Sequence, residues 1–194
     1  VRVVARDRDG ALVQQGKGYL RRGDLADDTG ALGLCDPLTR LYQCAAWLID
    51  HPYRGRARRF PDTRDRHGRT KGFSAINGAL RILDGPLNSI EGSGPRQWSG
   101  WPLAPGVGPV QLSLYCWAVH QDEAPRPQLL DQRSVTMLIR LGWINDRPVQ
   151  QFLPRDYLRY NAVLQRWAER AGCRAELVEM WLNRTWRELN AEAR

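Results

Sequence analysis

The stretch that most constrains this chain lies at residues 103–110, Leu-Ala-Pro-Gly-Val-Gly-Pro-Val, where two glycines and two prolines crowd into one turn. Pro105, Gly106 and Gly108 end whatever precedes them, and Pro109 suits the first turn of a new helix, where its missing N–H would go unpaired anyway. The apolar run 111–119 follows directly, so the sequence reads as a tight turn feeding a helix over residues 109–119. Glycines without a Cβ let another backbone approach closely. Free N–H groups at a helix start point outward with the positive end of the helix dipole, which outlines a phosphate site.

After a short loop comes Leu130-Asp131-Gln132-Arg133, with Asp131 placed to open the next helix. Taken alone, Asp131 ahead of Ser134 reads as an N-cap. Turn, helix and acid at this spacing resemble the helix-hairpin-helix DNA glycosylase superfamily, whose members carry a Leu-Pro-Gly-Val-Gly-like turn, a helix, and an acidic residue opening the following helix. The resemblance implies a mainly α fold and a catalytic Asp131. It implies phosphate contacts at Gly106, Val107, Gly108 and Val110, and double-stranded DNA as the partner; Arg133 and Arg140 flank the acid's helix, where Arg133 could also meet phosphate. Two departures are visible. Members usually have a regular helix before the hairpin, whereas residues 90–102 are dense in Gly and Pro, which leaves residues 74–83 as the alternative first arm. Bifunctional members place a Schiff-base lysine two positions after the last hairpin glycine, and here that position is Val110. The resemblance therefore implies a monofunctional enzyme.

The formal charge of +8 and a pI near 9.8 favour a polyanionic partner, and the cations are nearly all arginine, with lysine only at Lys17 and Lys71. Arginine forks match phosphate oxygens bidentately. The densest run spans residues 51–72, where Arg54, Arg56, Arg58, Arg59, Arg64, Arg66, Arg69 and Lys71 face only Asp62 and Asp65. Such a run is a solvated loop or, if it meets an anion, a DNA contact through residues such as Arg58, Arg59 and Lys71. Cys35, Cys44, Cys116 and Cys173 are dispersed without metal-ligand spacing, so neither zinc nor an iron–sulfur cluster is expected, and no cofactor. No apolar run is long enough for a transmembrane helix, and residues 1–8 are charged, unlike a signal peptide. The expectation is a cytoplasmic monomer.

Along the chain, residues 1–15 alternate around Asp7-Arg-Asp-Gly10 and read as a short β-hairpin. Asp36-Pro37 supplies an N-cap and first-turn proline for a helix over 38–49. Further helical periodicities fall at 73–83, 133–141, 154–171 and 175–193. The expected architecture is one domain spanning residues 1–194, with an N-terminal β element and loop over 1–33 and a helical body over 34–194. At 194 residues a stable core needs neither metal nor disulfide.

Eight tryptophans are a high load for base stacking. Trp98 and Trp101, in the loop ahead of the hairpin, are the first candidates for a wedge or base pocket, followed by Trp143 and Trp181; Trp47, Trp117, Trp167 and Trp186 read as core. Glu176 and Glu179 could supply a second acid, but their spacing on an amphipathic helix reads as a wet face. The leading expectation is a DNA glycosylase that flips out and hydrolytically excises a damaged or modified base, with foreign DNA such as that of a phage as one target. The alternatives are a non-catalytic helix-hairpin-helix DNA-binding module and a small helical protein whose basic loop binds an acidic partner.

Overall fold

The computed structural model describes residues 21–26, 36–50 and 71–191. Six α-helices follow one another among them: α1 (Pro37–Asp50), α2 (Lys71–Leu83), α3 (Pro109–Val119), α4 (Gln132–Arg140), α5 (Pro154–Ala171) and α6 (Ala175–Ala191). No strand occurs among the described residues, where one isolated antiparallel bridge pairs Arg96 with Pro102. The chain is mainly helical, as expected. The expected β-hairpin at residues 1–15 and the basic residues Arg58 and Arg59 lie outside the described residues. Lys71 begins α2, but its side chain is likewise outside them.

Local chemistry explains the helix ends. The carboxylate of Asp36 accepts from the N–H groups of Leu38 and Thr39 at 3.1 and 3.2 Å, which caps α1. α3 and α5 each start with proline. Asp156 reaches back to the N–H of Leu153 at 3.1 Å, satisfying an orphan donor at the start of α5. Gly172 ends that helix at φ 62°, a left-handed conformation that glycine adopts without strain, and Cys173 N–H closes the turn on Ala168 C=O at 2.9 Å.

The helix that follows the glycine turn is the centre of the structure. Nine of its eleven residues, from Pro109 and Gln111 to Ala118, are buried, so α3 has no solvent face. A helix buried all round is a core helix. α1 packs on one side of it, and the buried Gln111 amide donates to Leu41 C=O at 3.3 Å. α4 and α6 form the most extensive helix pair, and α5 packs against α6. All six helices send side chains into one apolar cluster.

Before the hairpin, residues 93–108 form no helix; a 3-10 turn at Leu87–Gly92 gives way to a folded loop. Its shape comes from polar staples. Gln97 N–H donates to Trp101 C=O, and the Gln97 amide donates to Pro102 C=O at 3.0 Å and Val107 C=O at 2.9 Å. The segment ahead of the glycine turn is thus an ordered loop, as its Gly and Pro content indicates, and residues 74–83 lie within α2.

Candidate active site

Gly106 adopts φ 77°, the left-handed region that glycine occupies freely, and Val107 N–H bonds back to Ala104 C=O at 3.0 Å to close the turn. Gly108 then caps α3. The N–H groups of Gly106, Gly108 and Val110 take no acceptor among the described residues, and Gly106 and Gly108 are exposed. Val107 points into the core and Val110 packs against its edge. An open groove of about 510 Å³ runs along the turn, lined by Arg96, Gln97, Trp98 and residues 103–108.

From the hairpin, hydrogen bonds lead to Asp131. Ser113, one turn into α3, donates its hydroxyl to Val110 C=O at 2.8 Å and accepts the N–H of Leu130 at 3.0 Å. The buried segment 128–130 carries no regular secondary structure, so its backbone polar groups need other partners. Gln128 N–H donates to Asn161 Oδ1 at 3.0 Å; Tyr157 donates to Gln128 C=O and Tyr160 to Leu129 C=O, both at 2.9 Å. α3 and α5 therefore clamp the segment that delivers Asp131. Tyr157 is fit for this because burial pushes its phenol well above its ordinary pKa, so it stays a donor.

Asp131 is the N-cap of α4: Oδ1 accepts from Ser134 N–H at 2.8 Å, and Oδ2 accepts from the Asn183 amide of α6 at 2.8 Å. The residue is only 1 % exposed. The cap that its sequence neighbourhood suggests is realised, and the residue before it, Leu130, is bonded to Ser113 of α3.

The sequence reading is corrected at Glu176 and Glu179, which are buried, with Glu179 at 0 % exposure. They fall on the face of α6 that also carries Asn183, turned towards α3 and α4. Arg22 pairs with Glu179 at 2.6 Å, Arg126 with Glu176 at 2.8 Å, and the Trp117 indole donates to Glu176 at 3.0 Å. The Arg22 guanidinium also lies 4.3 Å from the Trp117 ring centre. Buried carboxylates persist only when paired and hydrogen-bonded in this way. The missed residues were Asn183 and Ser113. The signal for the first was polar residues recurring at 176, 179 and 183, a single helical stripe.

The four candidate tryptophans do not gather. Trp98 is 77 % exposed beside the hairpin groove. Trp101 is a correction: it is fully buried, packs against Tyr157 at a tilted angle with ring centres 5.3 Å apart, and donates its indole N–H to Phe152 C=O at 2.8 Å. It is therefore part of the core, where apolar area and a satisfied N–H both favour it. Trp181 lies two residues before Asn183, so the two project to opposite sides of α6. It lines a groove of about 260 Å³ with Trp167, Ala171, Cys173, Leu177 and Val178, and Trp143 meets Trp167 edge-on at 5.1 Å. Trp143 and Trp181 thus belong to the face turned away from Asp131. Arg133 lies 5.0 Å over the Trp186 ring, and Arg140 is exposed. The described residues hold no group of three or more His, Cys, Asp or Glu side chains placed to bind a metal. No helix among them is long and apolar enough to cross a membrane.

A family model described as "Putative 8-oxoguanine DNA glycosylase OGG-like protein" matches residues 4–183. The chain belongs to this OGG-like family. The match spans the glycine turn, the central helix, Asp131 and the polar stripe of α6, and it agrees with the DNA glycosylase-like family that the hairpin motif suggested. Neither the curated proteins nor the solved structures contain a match.

Proposed function

We propose that this OGG-like protein is a monofunctional DNA glycosylase of the helix-hairpin-helix type, with one domain spanning residues 1–194. It takes a damaged or modified base out of duplex DNA and cleaves its bond to deoxyribose with Asp131. The observation that carries this reading is the Ser113 link: one hydroxyl joins the first turn of the hairpin helix to the residue before Asp131. A strand gripped at the hairpin is thereby held at a fixed distance from the acid, and such fixed geometry is a large part of enzymatic rate enhancement.

In this mechanism the N–H groups of Gly106, Gly108 and Val110 bind phosphate at the positive end of α3, with Arg133 and Lys71 adding charge. The charge of the run 51–72 makes Arg58 and Arg59 further candidate DNA contacts. Extrusion of the base costs a few kcal/mol, least at a damaged pair, and the exposed Trp98 offsets it by stacking or wedging. As the glycosidic bond breaks, the sugar becomes oxocarbenium-like, and the Asp131 carboxylate stabilises that charge. Its burial favours this electrostatic role over deprotonation of water, because a charge acts across a few ångströms of low-dielectric protein without being exposed. Val110 cannot form a Schiff base, so the product is an abasic site and the strand stays intact. The first substrate to test is 8-oxoguanine, which the family's description names; alkylated and hypermodified bases, including those of phage DNA, follow.

The burial of Asp131 and the engagement of both its oxygens also favour a second reading, a DNA-binding module in which Asp131 is only a cap. One experiment separates the two. Duplexes carrying a panel of lesions are incubated with the protein and assayed for alkali-labile abasic sites. Excision supports the enzyme; salt-dependent binding without excision on any duplex supports the module.

A further inference from the structure

The bond from Asn183 to Asp131 ties the last helix to the proposed acid, and no part of the mechanism above uses it. Asn183 is buried, and its Nδ2 lies 2.8 Å from Asp131 Oδ2. A carboxylate only accepts, so the amide must present its NH₂ to Asp131. The other carboxylate oxygen is held independently by Ser134 N–H at 2.8 Å. A capping bond to one oxygen leaves the plane of the carboxylate free to turn, because the torsion about the last bond of an aspartate is broad. Two donors on two oxygens, one from α4 and one from α6, fix that plane.

The elements that carry or pack on the pair hold these charged and titratable groups: Glu176 and Glu179 on the same stripe of α6 as Asn183, Arg126 in the loop before α4, which pairs with Glu176 at 2.8 Å, and Arg133 on α4, over the Trp186 ring; Tyr157 and Tyr160 of α5 bond to the carbonyls of Gln128 and Leu129 just ahead of Asp131. The segment before α1 contributes Arg22, which pairs with Glu179 at 2.6 Å. That ion pair offsets the negative charge one turn away from Asn183, so a neutral amide is the residue that meets Asp131.

We propose that Asn183 is a positioning residue for base excision: its amide sets the plane of the Asp131 carboxylate relative to the sugar of the gripped strand. This rests on the glycosylase reading. A purely structural bond would affect folding alone, whereas a positioning bond sets the rate and its pH dependence at unchanged DNA affinity.

The test compares the wild-type protein with Asn183→Ala, Asn183→Asp and the exchange Asp131→Asn/Asn183→Asp. The readouts are single-turnover excision from pH 5 to 9 on the best duplex of the lesion panel, DNA affinity and melting temperature. Asn183→Ala is expected to slow excision by about 10- to 100-fold with DNA affinity within about threefold, the cost of a misplaced reacting group. Asn183→Asp sets two acids at hydrogen-bond distance, which cannot both ionise easily, so the acid limb of its profile moves to higher pH. The exchange restores a complementary pair and the melting temperature, yet leaves excision lost because the carboxylate now sits on α6. Wild-type rates and an unchanged profile in the folded single variants overturn the proposal, as does excision regained by the exchange. A wild-type protein that binds duplex but excises no base overturns the glycosylase reading itself, and the positioning role with it.

Discussion

The Ser113 hydroxyl accepts the backbone N–H of Leu130 at 3.0 Å while donating to Val110 C=O, so the first turn of the hairpin helix and the approach to Asp131 share one side chain. The glycine turn and the segment leading to Asp131 are thus joined through one side chain of a helix with no exposed face. On the proposed mechanism, a DNA strand held at the turn inherits that geometry.

Replacing Ser113 by Ala leaves the Leu130 N–H buried without its acceptor, which costs roughly 1–3 kcal/mol of stability. On the proposed mechanism excision falls further than this loss explains, while DNA binding is retained. Denaturant unfolding and single-turnover assays check it; a variant as stable and active as wild type would show that the link carries no load.

Trp98 and Trp101 are three positions apart and are expected to fail differently. Trp101→Ala removes a buried ring and an indole hydrogen bond, at a cost of about 3–5 kcal/mol. Trp98→Ala leaves the melting temperature unchanged, because the side chain stands in solvent. It slows excision by about 5- to 150-fold if stacking contributes 1–3 kcal/mol. Equal effects of both changes on stability would contradict this assignment.

Alkaline pH should unfold the protein. Burial raises the phenols of Tyr157 and Tyr115 above their ordinary value of 10.0, aided in Tyr115 by its bond to Asp84, and burial raises the Cys116 thiol above 9.0. Raised native values mean that the unfolded chain releases these protons first. Their stabilising contribution is therefore complete below about pH 9 and is lost as pH climbs past 10. Melting temperatures recorded from pH 7 to 11 should hold and then fall; a flat curve through pH 11 would contradict it.

Duplex binding should weaken linearly on a plot of log affinity against log salt, as released counterions require. Arg133→Ala should reduce the slope by about one contact. An affinity independent of salt would instead favour an acidic or apolar partner.

Much of the helical frame was legible because its punctuation is local. Pro109 and Pro154 start α3 and α5 at the positions that the sequence indicates, and Gly172 ends α5 where a left-handed residue is needed. Asp36 and Asp131 both cap the helices they precede. What could not be read was the direction in which α6 faces. Glu176, Glu179 and Asn183 form a polar stripe that resembles a solvent face until Arg22 and Arg126, distant in sequence, arrive to neutralise it. Trp101 was misplaced for a related reason: its indole N–H finds Phe152 C=O across fifty-one positions, a partner that no local pattern announces.

The account stands on Asp131, and Asp131→Asn tests it most directly. Asparagine is as good an N-cap, and the Asn183 amide can turn to accept from it, so the fold and the hairpin should survive. On a duplex that the wild-type protein converts to abasic sites, the variant should bind with unchanged affinity and excise at least about a hundredfold more slowly, the scale of an electrostatic contribution to the transition state. Excision at the wild-type rate would contradict the central claim.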